Sequence, residues 1–245
     1  MSIANDAKLT TSWNSKDGLE RLNRSKYNSD FYQLANFYQP QENPLYCGAA
    51  TAVIILNASN YGEISSQKTG EVKKPKDLGG DVIPFKLYLQ QDFFNKKVQK
   101  IKSKKIIDLK QAKKLVNGDP VYDPGVTLSE FSQMLKYGHN FKVTKIHALK
   151  NTEKEIEQFR KNLKTAFTND KKYIIANYNG KKIGKKTGGH ISPVVAYDEQ
   201  SDSVLILDVA LHKEKWFWVS IQEFYEAMNT KDGDKYRGYL IVRKK

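Results

Sequence analysis

Cys47 is the only cysteine in the chain, so its chemistry is that of a lone thiol. It stands in Gln41-Glu42-Asn43-Pro44-Leu45-Tyr46-Cys47-Gly48-Ala49-Ala50, and the apolar run Thr51-Ala52-Val53-Ile54-Ile55-Leu56-Asn57 follows. Pro44 cannot donate to a helix ladder and biases Asn43 toward extended backbone, so a loop feeding a buried helix is predicted. Cys47 then sits in the first turn of that helix. Unpaired N–H groups and the positive end of the helix dipole favour thiolate there, and the thiolate is the nucleophile. Gly48, Ala49 and Ala50 keep space beside the sulfur for a substrate backbone. The same pattern also fits a small buried hydrophobe at a helix start.

A nucleophilic thiol needs an imidazole within reach and a third polar group to hold the ring. Of the four histidines, His139 and His147 lie in a mixed segment without flanking glycines or an apolar strand, and His212 sits in a charged stretch. His190 follows Lys186-Thr187-Gly188-Gly189 and opens Ile191-Ser192-Pro193-Val194-Val195-Ala196-Tyr197, which places a ring at the mouth of a strand with an unobstructed approach. Asp208 ends Ser203-Val204-Leu205-Ile206-Leu207, a second strand that Asp198 to Asp202 joins to the first as a hairpin. A carboxylate there is costly to bury without a donor, and an imidazole N–H is a suitable one. About 140 residues separate Cys47 from His190, within the roughly 130–150 found in papain-like thiol enzymes. Gln41 completes the set as a side-chain donor to the oxygen that turns negative in acyl transfer, alongside the Cys47 N–H. It reads equally as a loop glutamine facing water.

The segments Phe37-Tyr38-Gln39-Pro40-Gln41-Glu42-Asn43-Pro44-Leu45-Tyr46-Cys47-Gly48, Gly189-His190-Ile191-Ser192-Pro193 and Leu205-Ile206-Leu207-Asp208-Val209-Ala210 resemble the signatures of phytochelatin synthases and their bacterial relatives. The likeness extends in weaker form from about Phe31 to Val242, through Gly125-Val126-Thr127, Asn177-Tyr178, Trp218-Val219, Glu226-Ala227-Met228 and Arg237-Gly238-Tyr239. It implies a papain-like domain in which Cys47 attacks the Cys–Gly bond of glutathione, glycine leaves, and a γ-glutamylcysteinyl thioester remains. His190 is then base and acid, Asp208 its orienter and Gln41 the oxyanion donor. The acyl group passes to a second glutathione or to water. Arg237 matches an Arg-Gly-aromatic segment of the family and would clamp the γ-glutamyl carboxylate, with Gly189 and Gly48 beside the substrate and Asp232 or Asp234 facing its ammonium. Arg237 also reads as a surface arginine at a strand start.

Two features depart from the family pattern. Leu211 stands where an arginine usually follows the catalytic aspartate by three residues, and a Cys-rich C-terminal region is absent from the sequence. Both point to a bacterial-type enzyme in which hydrolysis of glutathione weighs at least as much as polymerisation. No tightly bound cofactor and no metal ligands are expected. Cadmium or zinc would enter as a glutathione thiolate complex.

The elements that must position these residues follow from periodicity. The chain has 245 residues, 39% hydrophobic and 11% aromatic, enough for a sizeable core in one domain. Residues 1–24 read as a polar N-terminal extension and 25–245 as a single catalytic domain. Helices are predicted in Ser25–Tyr38, after Cys47, in Pro84–Leu115, over Leu128–Tyr137 with Thr127 as N-cap and Glu130 at the capping-box position, and over Glu153–Thr168 behind Thr152. Tyr61–Gly80 reads as an exposed loop, and Asn117-Gly118-Asp119-Pro120 and Asp123-Pro124-Gly125 as turns. Strands are predicted at Tyr173–Tyr178, His190–Tyr197, Ser203–Asp208, Trp216–Val219 and Gly238–Val242, with a helix at Ile221–Met228. Helices first and antiparallel strands after make an α+β fold, an N-terminal helical lobe and a C-terminal antiparallel sheet around a cleft.

The net charge of +14 fits a nucleic-acid or anionic-membrane binder. The lysines are scattered in pairs such as Lys96-Lys97, Lys181-Lys182 and Lys185-Lys186, with no recognition motif, and read mostly as solvated faces. A positive field would also concentrate an anionic peptide. Two other functions are carried alongside the first: a papain-like endopeptidase on polypeptides, and a non-enzymatic basic nucleic-acid-binding protein. No secretory signal or membrane span is visible, so the cytoplasm is the default compartment, and a homodimer stays open.

Overall fold

The computed structural model describes residues 9–60, 70–73, 76–80, 82–85, 87–122, 125–168 and 171–245. In chain order its elements are β1 (Thr10–Ser12), α1 (Lys16–Arg24), α2 (Ser29–Ala35), α3 (Cys47–Ser59), β2 (Gly70–Lys73), β3 (Val82–Phe85), α4 (Gln90–Phe93), α5 (Lys96–Ile101), α6 (Lys104–Ile107), β4 (Lys114–Val116), β5 (Asp119–Val121), α7 (Leu128–Gln133), β6 (Phe141–His147), α8 (Glu153–Phe167), β7 (Lys172–Asn179), β8 (Gly189–Asp198), β9 (Ser203–Ile206), β10 (Phe217–Ser220), α9 (Ile221–Met228), β11 (Lys231–Asp232), β12 (Lys235–Tyr236) and β13 (Gly238–Lys244). The fold is α+β.

Seven strands form one antiparallel sheet in the order β1-β10-β9-β8-β7-β13-β6. One core lies on the α3 side and the other under α8 and α9. Helix α3 is apolar on every side, and Gly48 through Asn57 are all buried, the pattern of a helix enclosed in a core rather than laid on a surface. Fully burying Val53, Ile54, Ile55 and Leu56 contributes roughly 1.5–3 kcal/mol each. Thr51 Oγ1 donates to the Ile191 carbonyl at 3.1 Å, fixing α3 against β8 one residue from His190.

Several expectations hold closely. Thr127 and Glu130 form the reciprocal capping box of α7, Thr152 caps α8, and the Ile221–Met228 helix has the predicted bounds. Asn117 and Gly118 both have positive φ, 52° and 87°, which closes β4–β5 with the twist a two-residue hairpin turn requires.

The differences are local. Thr10–Ser12 pairs with β10 at the sheet edge, and Trp218 Nε1 donates to the Gly18 carbonyl at 3.0 Å. Residues 10–24 are therefore part of the folded unit, not an extension; three strand residues are too few for a periodic signal. The Pro84–Leu115 stretch begins in β3 and ends in β4, and its helical part breaks into α4, α5 and α6 because Asn95 and Ser103 cap new helix starts with their side chains. Phe141–His147, expected as a mixed segment, is strand β6, with Phe141 buried and most alternate residues exposed. Within Tyr61–Gly80, residues 70–73 are a strand and 76–78 a short 3-10 helix; residues 61–69 and 74–75 lie outside the described residues, as do Asp123 and Pro124. Among the described residues no helix is long and apolar enough to cross a membrane.

Candidate active site

Cys47 is the first residue of α3, half-buried and unpaired with any other thiol. The preceding loop is held by its own side chains: Asn43 Oδ1 accepts from the Leu45 N–H at 2.9 Å, and the Tyr46 N–H donates to the Asn43 carbonyl at 2.9 Å. Tyr46 is buried, and its hydroxyl donates to Asp108. These contacts present the sulfur at the helix start, where free N–H groups face outward.

His190 opens β8 and is buried. Its Nε2 bonds Asp208 Oδ1 at 2.9 Å, which leaves Nδ1 free of that carboxylate, and the ring shares a cavity with Cys47. Burial alone would lower the imidazole pKa. The Asp208 carboxylate, by charge and hydrogen bond, and the Cys47 sulfur outweigh it and hold the ring above its ordinary 6.5.

Asp208 lies two residues past β9 and is fully buried. Burial pushes its carboxyl up, but His190, the Ala210 N–H at 2.7 Å and the Tyr178 hydroxyl at 3.0 Å bring it below the usual carboxylate range. Tyr178 stands directly across from His190 on β7, its ring edge-on to the imidazole at 5.7 Å. Burial and the Asp208 charge keep its hydroxyl protonated, so it stays a donor. Tyr38 adds a bond from its hydroxyl to the Asp208 carbonyl at 2.8 Å. Sequence reasoning assigned no role to Tyr178 or Tyr38: each is one of 14 tyrosines, and only the pairing of β7 with β8 reveals the first.

A cavity of about 260 Å³ opens beside the sulfur and the ring, lined by Pro44, Leu45, Cys47, Lys113, Gly125, Val126, Thr127, Asn177, Gly189, His190, Ile191, Asp232, Gly233 and Arg237. Arg237 is almost enclosed: Nη1 donates to Thr230 Oγ1 at 3.2 Å and to the Lys231 carbonyl, and Nη2 lies 3.5 Å from Asp232 Oδ1. Its Nε is buried without a partner. Asn177 Nδ2 donates to Asp232 Oδ2 at 3.1 Å. Gly238 has φ 154°, and a Cβ there would stand 2.1 Å from the Ile146 carbonyl; only glycine lets β13 start so close to β6 and present Arg237.

Not every expected residue lines the cavity. Gln41 donates from Nε2 to the Asn43 carbonyl at 2.9 Å, with Oε1 buried and unpartnered, and it does not line the cavity. Its backbone N–H donates to the Val209 carbonyl at 2.8 Å, tying the nucleophile loop to the Asp208 segment. Gly48 is a packing position, not a cavity residue: a Cβ on it would lie 3.4 Å from the Phe131 ring. Gly189 does line the cavity, and a Cβ on it would lie 2.7 Å from Arg237 Nη2. Asp232 borders the cavity, whereas Asp234 faces an adjoining one of about 270 Å³ that shares Lys113, Thr127, Asp232 and Gly233. Leu211 is 53% exposed. Among the described residues no group of three or more His, Cys, Asp or Glu could hold a metal ion.

A thiol at a helix start, an imidazole held by a buried carboxylate and a cavity beside them that carries Lys113 and Arg237 suit acyl transfer from an anionic substrate. A family model described as Phytochelatin synthase matches residues 5–239. The chain belongs to the phytochelatin synthase family. It is similar to glutathione gamma-glutamylcysteinyltransferase 3 of Lotus japonicus, 27% identical over 216 residues, which cover 87% of this chain and 37% of that protein. Glutathione gamma-glutamylcysteinyltransferase 1 of Arabidopsis thaliana is 24% identical over 215 residues, 86% and 36% of the two chains. The Schizosaccharomyces pombe enzyme of that name is 32% identical over 120 residues, 48% of this chain and 28% of its own. This phytochelatin synthase family member thus spans little more than a third of its plant relatives.

Proposed function

We propose that the chain is a papain-like glutathione γ-glutamylcysteinyltransferase and glutathione hydrolase, with residues 25–245 and the strand and helix before them as one catalytic unit. The observation that carries this is the 2.9 Å bond from His190 Nε2 to the buried Asp208, with that ring and the Cys47 sulfur lining one cavity and the sulfur near enough to help raise the ring's pKa. The relatives' names supply the substrate class.

Cys47 Sγ, as thiolate, attacks the carbonyl carbon of the Cys–Gly bond. The oxygen becomes negative and is met by the Cys47 N–H and by the second Nε2 proton of Gln41, whose first is engaged with Asn43. The His190 imidazolium gives its proton to the glycine nitrogen, the C–N bond breaks, and glycine leaves. The γ-glutamylcysteinyl thioester then meets an amine of a second glutathione, or water. The neutral ring takes the attacking proton, and Cys47 departs as thiolate.

Arg237 and Asp232 form the charged pair that would receive the carboxylate and ammonium of the γ-glutamyl end, the buried free Nε offering a further donor. Leu211 in place of an arginine supports hydrolysis at least on a par with transfer. Cadmium or zinc belongs to the substrate, as a thiolate complex of the acceptor, and needs no protein ligands.

Incubation with glutathione, with and without cadmium, and mass spectrometry of the products tests the reading. Free glycine with γ-glutamylcysteine, phytochelatin or both is the expected outcome. Cleavage of protein substrates with glutathione untouched would instead make the chain an endopeptidase.

A further inference from the structure

A row of three cations crosses the sheet far along the chain from the active-site loop. Arg243 on β13 pairs directly with Lys142 on β6 and with Lys172 on β7. Residues directly opposite in antiparallel strands share a face. These three line one cavity of about 390 Å³, together with Thr144 of β6 and Asn162 and Thr165 of α8. The lining contains no Asp or Glu, and among the described residues no carboxylate pairs with Lys142, Lys172 or Arg243.

Like charges set directly opposite destabilise a sheet. Strands lie about 4.8 Å apart, so the charges fall within one Debye length, about 8–10 Å at physiological salt. Two other arginines of this chain find acids: Arg24 meets Asp198, and Arg160 meets Asp202, Glu153 and Glu157. The unbalanced row is what a ligand with several negative charges would balance.

We propose that this cavity is a binding site for a small linear polyphosphate, such as the di- or triphosphate group of a phosphorylated metabolite. Arg243 in the middle supplies the planar fork for a central phosphoryl group. Lys142 and Lys172 supply point charges to its neighbours, one strand away on each side. Thr144 adds a hydroxyl from the sheet and Asn162 an amide from α8, one proton of which is engaged with the Tyr239 hydroxyl. The three cations lie outside the active-site cavity, so the site is separate from glutathione chemistry and does not rest on it.

The test is calorimetric titration with sodium tripolyphosphate at fixed ionic strength. It compares the unaltered protein, the triple variant K142Q/K172Q/R243Q, and a charge-matched control, K181Q/K182Q/K213Q, whose three lysines are exposed. The row variant should bind about tenfold more weakly or worse, the control within about twofold of the parent. Arg243→Lys, which keeps the charge and loses the fork, should fall between. The ligand-free row variant should melt no lower than the parent, because repulsion has been removed. Equal weakening in both triple variants would make the binding a property of the overall +14 charge and overturn the proposal. So would no binding by the parent, or binding of a single-stranded oligonucleotide with none of tripolyphosphate.

Discussion

Tyr178 donates its hydroxyl to Oδ2 of Asp208 at 3.0 Å, while His190 takes Oδ1 of the same carboxylate at 2.9 Å. Tyr178 and His190 are also direct neighbours across β7 and β8, so one strand pairing aligns the ring, the carboxylate and the group that fixes the carboxylate from behind.

Replacing Tyr178 by Phe removes a charge-assisted bond and leaves a buried oxygen short of a donor, which costs roughly 1.5–3 kcal/mol. The loss should depend on pH. The Asp208 pKa is lowered in the fold, so its contribution is complete above the ordinary carboxylate value of 3.8 and disappears as pH falls through the folded value. Urea unfolding of Tyr178→Phe should therefore show its largest deficit near neutrality and a shrinking one in acid. A deficit that stays constant down to strong acid would mean the hydroxyl does not act through the carboxylate.

Asp208→Asn should lower kcat by about 10²–10⁴ and move the alkaline limb of the rate profile. With Asp208 charged, His190 keeps its proton up to about 10. The raised value means the imidazolium is present below it and is lost as pH rises through it. In the Asn variant burial acts without its counterweight, and the limb should fall toward or below 6.5. A pH–rate series on both proteins measures the shift.

Much of this was legible beforehand, for reasons visible in the residues. Cys47 and His190 each stand where a loop of proline or glycine meets an apolar run, so local chemistry alone marks their places at a helix start and a strand mouth. Asp208 was legible as a carboxylate in an apolar strand. Tyr178 was not, since a tyrosine in a strand usually means core and its meaning here lies in a cross-strand partner. Gly48 looked like open space beside the sulfur, but helix rotation turns it toward Phe131. Strand β6 escaped because an edge strand with Lys142 and Lys145 on it carries only a weak apolar alternation.

Gly189→Ala separates binding from chemistry. The added methyl would meet Arg237 Nη2 at 2.7 Å, the far end of a flexible side chain, so the guanidinium moves and the backbone does not. Stability should change by less than about 1 kcal/mol. KM for glutathione should rise several-fold with kcat nearly unchanged, the signature of a lost binding contact.

Gln41→Ala deletes the donor to Asn43 and, with it, the proposed oxyanion donor. A fall in kcat of about 10²–10³ is expected, with KM little changed. Gln41→Glu should be no better, because a carboxylate oxygen would face the Asn43 carbonyl that now accepts a proton from Nε2. Unaltered kcat in the Ala variant would leave the oxyanion to backbone donors alone.

The most direct measurement is intact-protein mass after rapid mixing with glutathione and acid quench, followed by peptide mapping and glycine assay. The account predicts one γ-glutamylcysteinyl group per chain, held as a thioester on the peptide containing Cys47, with one glycine released in the first turnover and neither product in Cys47→Ala. Glycine release undiminished in Cys47→Ala, or an acyl group mapped to any other residue, would contradict it.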